Sequence, residues 1–219
     1  MKILEETEVA LERADLNRRS PIARTITKLG KLHEPKRTKG IHASGILRYV
    51  VIESGMMKVL AQMDEEDFPL RMALGLAWEE FAVSLYPEIH WQPGECIEQG
   101  IVMTCDGHSL YVEEDPIDGG TNVHALCIEE FKLTWKKRRD AETFTRDEWH
   151  WLQQGRGYCW GYGAHLVRWH VCYVMGDYKG GGPVYMRYLI QFDDRDLETT
   201  GRMLIGNREK AVEKGYCEI

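Results

Sequence analysis

ALCIEEFKLTW, residues 125–135, is a long strand-like run. Successive side chains of a strand point to opposite faces. Leu126, Ile128, Glu130, Lys132 and Thr134 therefore share one face, while Cys127, Glu129, Phe131 and Leu133 share the other. Glu130 and Lys132 come after the apolar Leu126 and Ile128 on that face, so they stand together at the end of a half-buried strand. An ion there is costly unless it is paired or holds a metal. A one-residue slip would exchange Glu129 for Glu130, but no lysine lies two positions after Glu129, and it is set aside.

Upstream of this strand, 96–105 and 109–112 are also strand-like, interrupted by Asp106-Gly107. The turn-rich EEDPIDGGTN (113–122) returns the chain, and Asp115 and Asp118 read as turn residues within it. Further back, LRMALGLAWEEFAVSLY (70–86) repeats Leu70, Ala73, Leu74, Ala77, Phe81 and Leu85 at helical spacing until Pro87 stops it. Ser44 is placed to cap a helix containing Ile46, Leu47, Val50 and Val51. Downstream, 147–162 reads as a helix, 165–175 and 184–192 as strands, and 194–215 as an amphipathic helix. The expected fold is mixed α/β, a central mixed sheet flanked by helices. Residues 1–17 read as a short helix. With the basic stretch to residue 43 they form an N-terminal arm ahead of a domain spanning 44–219.

Pairing the strand units brings Asp106, at the end of GIVMTC, beside Glu130. Two carboxylates, with the backbone carbonyl between Glu130 and Lys132, suit Mg²⁺ or Mn²⁺, hard cations that prefer oxygen. Such an ion polarises a phosphate and lowers the pKa of a bound water. Lys132 is placed to orient that water and neutralise charge on the phosphoryl oxygens.

These residues, followed by Gln154-GRG-Tyr158, resemble the PD-(D/E)xK nuclease superfamily, and within it the branch of RecB-type nuclease domains and phage lambda exonuclease. The resemblance spans roughly residues 44–215, although Cys105 replaces the proline of the name. It implies a restriction-endonuclease-like core and a Mg²⁺- or Mn²⁺-dependent deoxyribonuclease, an end-processing or recombination exonuclease more than an endonuclease. It implies that Asp106, Glu130, Lys132, Gln154 and Tyr158 form the catalytic set. It also implies a metal-ligating carboxylate on the helix before the sheet, Glu79 or alternatively Glu80. DNA is the implied partner; the resemblance leaves room for a homo-oligomer and a recombinase partner. The alternative is a catalytically silent relative that binds nucleic acid or protein.

Net charge is −7, from 28 Lys and Arg against 35 Asp and Glu, which counts against a polyanion partner only until the distribution is seen. Eight basic residues lie between Arg18 and Lys39 against Glu34 alone, and Lys136, Lys137, Arg138 and Arg139 follow the catalytic strand as candidate phosphate contacts. No apolar run approaches the roughly 18 residues of a membrane span, and the acidic N-terminus is unlike a signal peptide. A cytoplasmic protein is expected, in the host cytoplasm if phage-encoded. The six cysteines contain no CxxC pair and read as structural thiols. The gaps among Cys159, His165, His170 and Cys172 fit zinc poorly.

Overall fold

Alternation along residues 123–134 produces a strand inside a six-stranded sheet of the mixed α/β fold expected. The computed structural model describes residues 1–9, 39–55, 67–113, 123–176 and 182–217. In chain order its elements are β1 (Lys2–Glu8), β2 (Ile41–His42), α1 (Ala43–Glu53), α2 (Asp67–Leu85), β3 (His90–Trp91), β4 (Cys96–Glu98) and β5 (Ile101–Met103). There follow β6 (Gly107–Glu113), β7 (Val123–Thr134), α3 (Ala141–Asp147), α4 (Trp149–Tyr162), β8 (Leu166–Tyr173), β9 (Val184–Gln191) and α5 (Asp194–Glu213).

The main sheet runs β1-β9-β8-β7-β6-β3, and a small one runs β2-β5-β4. β7 and β8 are parallel, whereas β6 pairs antiparallel with β7. Parallel neighbours need a crossover over one face of the sheet, which α3 and α4 supply. One face packs Ile128, Val167, Trp169 and Val171 beneath Leu47, Leu152, Tyr158 and Leu204 of α1, α4 and α5. The other packs Phe131 and Tyr185 against Trp78 and Phe81 of α2. The alternation read from β7 therefore holds: its even-numbered residues face α4 and its odd-numbered residues face α2.

Gly155 explains how closely α4 can lie on the sheet. A Cβ there would stand 2.5 Å from the ring of the fully buried Trp169.

Two local expectations are corrected. Residues 2–8 form a strand, not part of an N-terminal helix: β1 pairs antiparallel with β9 from Lys2↔Gln191 to Glu8↔Met186. The N-terminus thus completes the main sheet, because strand pairing outweighs the helical preference of a Glu- and Leu-containing segment. His42, not Ser44, precedes α1, and Ser44 lies in its first turn. The helix expected over 147–162 is α4, which starts two residues later, and α3 stands before it unforeseen. Asp140 starts α3 by accepting a hydrogen bond from the Thr143 amide at 2.7 Å, an N-cap visible in the sequence. The basic stretch 18–38 and the connector 114–122 lie outside the described residues.

Candidate active site

Asp106 follows the short β5 strand just before β6, and the antiparallel register Gly107↔Glu129 brings it level with Glu130. The Phe131 amide donates to Asp106 Oδ2 at 2.9 Å, and the Asp106 amide approaches Glu130 Oε1 at 3.4 Å. Lys132 Nζ sits between the two acids, 2.7 Å from Glu130 Oε2 and 3.6 Å from Asp106 Oδ2. Glu130 is fully buried. Asp106, Glu130 and Lys132 therefore meet as their spacing implied.

Glu79 enters from α2. It accepts a hydrogen bond from the Trp91 indole. It lines the same cavity of about 410 Å³ as Asp106, Gln154 and Tyr158. Glu80 is not part of that lining, so of the two helix carboxylates Glu79 is the one at the site. Gln154 donates to the Tyr158 hydroxyl at 2.8 Å, a pair one helical turn apart on the face of α4 that looks into the cavity. His42, Ser44 and Thr104 also line it.

The electrostatics are those of crowded carboxylates with too little positive charge. Burial, then the charge of Asp106, pushes Glu130 up to about 8. The same two causes push Glu79 up to about 7. Lys132 is raised, its burial being outweighed by Glu130 and Asp106. Burial, reinforced by Glu130 and Asp106, lifts Tyr158 far above the usual phenol range, so Tyr158 is a neutral hydrogen-bonding group.

Asp106, Glu130 and Glu79 offer hard oxygen donors whose repulsion a divalent cation would relieve, and the donor set fits Mg²⁺ or Mn²⁺. Among the described residues no three His, Cys, Asp or Glu side chains already converge as a metal cluster. Seating a divalent ion would thus require Lys132 to withdraw from between the acids.

Strand alternation placed Glu129 on the far side, and the structure gives it a role that was not foreseen. It is fully buried, and it accepts hydrogen bonds from Ser109 Oγ, from Arg168 Nη1 at 2.8 Å and from His170 Nε2 at 2.8 Å. His170 is held below its ordinary range, chiefly by burial, so its contact with Glu129 is a hydrogen bond from a neutral ring whose Nδ1 accepts from Tyr185. This network joins β6, β7, β8 and β9 directly behind Glu130. Two consecutive glutamates were the available signal, since the strand period buries both if both sheet faces are covered.

The basic run is largely answered at home. Lys136 bonds both oxygens of the buried Glu148 at 2.8 Å. Arg138 pairs with Glu8 at 2.6 Å, and Arg139 pairs with Asp147 at 2.9 Å and Glu148 at 3.2 Å. Lys137 is exposed and makes no ion pair with the described residues. The four side chains considered for zinc are dispersed. Cys159 is buried in α4, His165 is bonded to the Phe192 carbonyl, and His170 is held by Glu129. The buried thiols Cys105, Cys127 and Cys159 sit in the core. Among the described residues no helix is long and apolar enough to cross a membrane.

Neither a protein-family model nor a curated protein sequence matches the chain. Among solved structures it is similar to SSO0001, with 17% identity over 84% of this chain and 85% of that one, at a TM-score of 0.39. It is similar to LHK-Exo, solved in complex with dAMP, with 12% identity over 80% and 89% at 0.40. It is also similar to a phage related exonuclease from Haemophilus somnus 129PT, with 9% identity over 94% and 88% at 0.38.

Proposed function

We propose that the chain is a divalent-metal-dependent deoxyribonuclease that hydrolyses phosphodiester bonds, acting on DNA ends. The observation that carries this reading is the meeting of Glu130 and Lys132 with Asp106, which lines one cavity together with Glu79, Gln154 and Tyr158. Asp106, Glu130 and Glu79 would hold Mg²⁺ or Mn²⁺. When bound, the ion supplies electrophilic assistance to the phosphate and acidifies a water.

The chain's own groups do the rest. Lys132, displaced from between the acids, turns its ammonium to the attacking water and the non-bridging phosphate oxygens. Gln154, steadied by Tyr158, presents its amide to the substrate side of the cavity. The cavity walls exclude bulk water, which strengthens each of these interactions.

The test incubates purified protein with linear and covalently closed DNA, with Mg²⁺, Mn²⁺ or a chelator. Metal-dependent loss of linear DNA with circles spared is the expected result. Cutting of closed circles would make it an endonuclease. Tight DNA binding without cleavage in either metal would replace the reading with a catalytically silent binder.

A further inference from the structure

Residues four apart on a helix share a face, so His150, Gln154 and Tyr158 form one row along α4. The ends of that row lie over different parts of β7. Gln154 and Tyr158 line the cavity with Asp106, whereas the start of α4 lies by the end of β7, where Glu148, two residues before His150, holds Lys136. The row therefore follows β7 from the carboxylates past Lys132 toward the basic run. A helix returning the chain between parallel strands runs against them, and this is the direction the contacts show.

His150 is half-buried. Among the described residues neither of its ring nitrogens has a hydrogen-bond partner, whereas its neighbours are engaged. Glu148 holds Lys136, and Lys136 also lies over the Trp151 ring at 5.4 Å. Burial first and Lys132 second hold the imidazole below its ordinary range, against the opposing charge of Glu148, so it offers one N–H beside cations that Glu148, Glu130 and Asp106 already hold. One helical turn, about 6 Å along the axis, separates it from Gln154.

We propose that His150 binds the phosphodiester adjacent to the scissile one, extending the substrate groove along α4 beyond the cavity at Asp106. This rests on the nuclease reading above. An N–H donated to a phosphate oxygen is a charge-assisted bond and fixes the register of the strand without reading its sequence.

The experiment measures binding of a fluorescein-labelled single-stranded oligothymidylate of about 12 nucleotides, within the usual site size for such strands. Ca²⁺ replaces Mg²⁺, and wild type, His150→Leu and His150→Gln are compared. A parallel probe carries one uncharged methylphosphonate linkage, moved stepwise from the labelled end. The expected result is a Kd about tenfold weaker for His150→Leu, worth about 1.4 kcal/mol, and substantial recovery in His150→Gln, which keeps a donor. One methylphosphonate position should weaken wild type and leave His150→Leu unaffected. In cleavage with Mg²⁺, His150→Leu should raise KM and change kcat little.

Equal binding by wild type and His150→Leu overturns the proposal. So does a His150→Gln as weak as His150→Leu, which would show a packing role, or a wild type that binds no oligonucleotide. The nuclease reading fails separately: methylphosphonate-sensitive binding through His150 with no cleavage in either metal would sink that reading and leave the groove.

Discussion

Removing the charge of Asp106 should make the metal-free protein more stable, and increasingly so as pH rises. Glu130 is raised from 4.5 to about 8, by burial first and Asp106 second. Glu79 is raised to about 7 by the same two causes. A carboxyl whose folded pKa lies above its unfolded one binds more protons in the fold. Its contribution is fully present below about 4.5 and is lost as pH climbs through the folded value. The 3.5-unit difference for Glu130, at about 1.4 kcal/mol per unit, sets a ceiling of roughly 5 kcal/mol. Asp106 is the smaller of the two causes, so its share is on the order of 2 kcal/mol, within the range for adjacent like charges.

The measurement is urea denaturation of wild type and Asp106→Asn in chelator, at about pH 5.5 and about pH 8.5, spanning the lost contribution. Asparagine can still accept from the Phe131 amide, so the fold keeps that hydrogen bond. The stability difference, variant minus wild type, should grow by about 2 kcal/mol between the two pH values, or about 4–8 °C in Tm for a chain of this size. Taking the difference cancels His170, His150 and His108. Their depressed values act in the opposite sense, adding stability above the ordinary histidine range. Mg²⁺ at about 100 times its Kd should stabilise wild type by about 2.7 kcal/mol at the higher pH and Asp106→Asn far less. A pH-independent gap, or equal stabilisation of both proteins by Mg²⁺, would refute the argument that these carboxylates repel one another in want of a cation.

Lys132→Ala should lower cleavage by about 10²-fold or more. Calorimetry should show Mg²⁺ binding as tight as wild type or tighter, because the competing ammonium is gone. Gly155→Ala should destabilise by about 1–3 kcal/mol in denaturant despite the better helix former, since the new methyl meets Trp169; an unchanged midpoint would show that α4 is free to shift. Lys137→Ala should flatten the salt dependence of DNA binding by about one unit of slope. Lys136→Ala should leave that slope alone and reduce stability, because the buried Glu148 loses a partner.

Elements were legible where the residues themselves carried the period. Strand β7, helix α2 with Pro87 after it, and the strands expected over 165–175 and 184–192 followed from local pattern. The tertiary choices were not. Residues 2–8 have nothing in their own sequence that names β9 as partner, and nothing beside Glu148 shows that Lys136 and Arg139 hold its carboxylate. The same limit governed the basic run. Four consecutive cations look like a phosphate grip, yet Glu8, Asp147 and Glu148, distant or unremarkable in sequence, already answer three of them.

The candidate site was more legible than the fold because strand period and helix turn act over two and four residues, and both are local. Glu130 and Lys132 had to share a face, and so did Gln154 and Tyr158. What no local rule could supply was the contrast between Glu129 and Glu130, neighbours that are equally buried and oppositely served. Behind the sheet, Glu129 has Arg168, Ser109 and His170, a complete set of donors. In front, Glu130 has Lys132 as its one cationic partner and the Asp106 amide at 3.4 Å, set against the charge of Asp106. A buried acid with full partners anchors strands; a buried acid short of positive charge waits for a ligand. That difference in satisfaction, more than either burial or pattern, is why we place the proposed chemistry on the α4 side of β7.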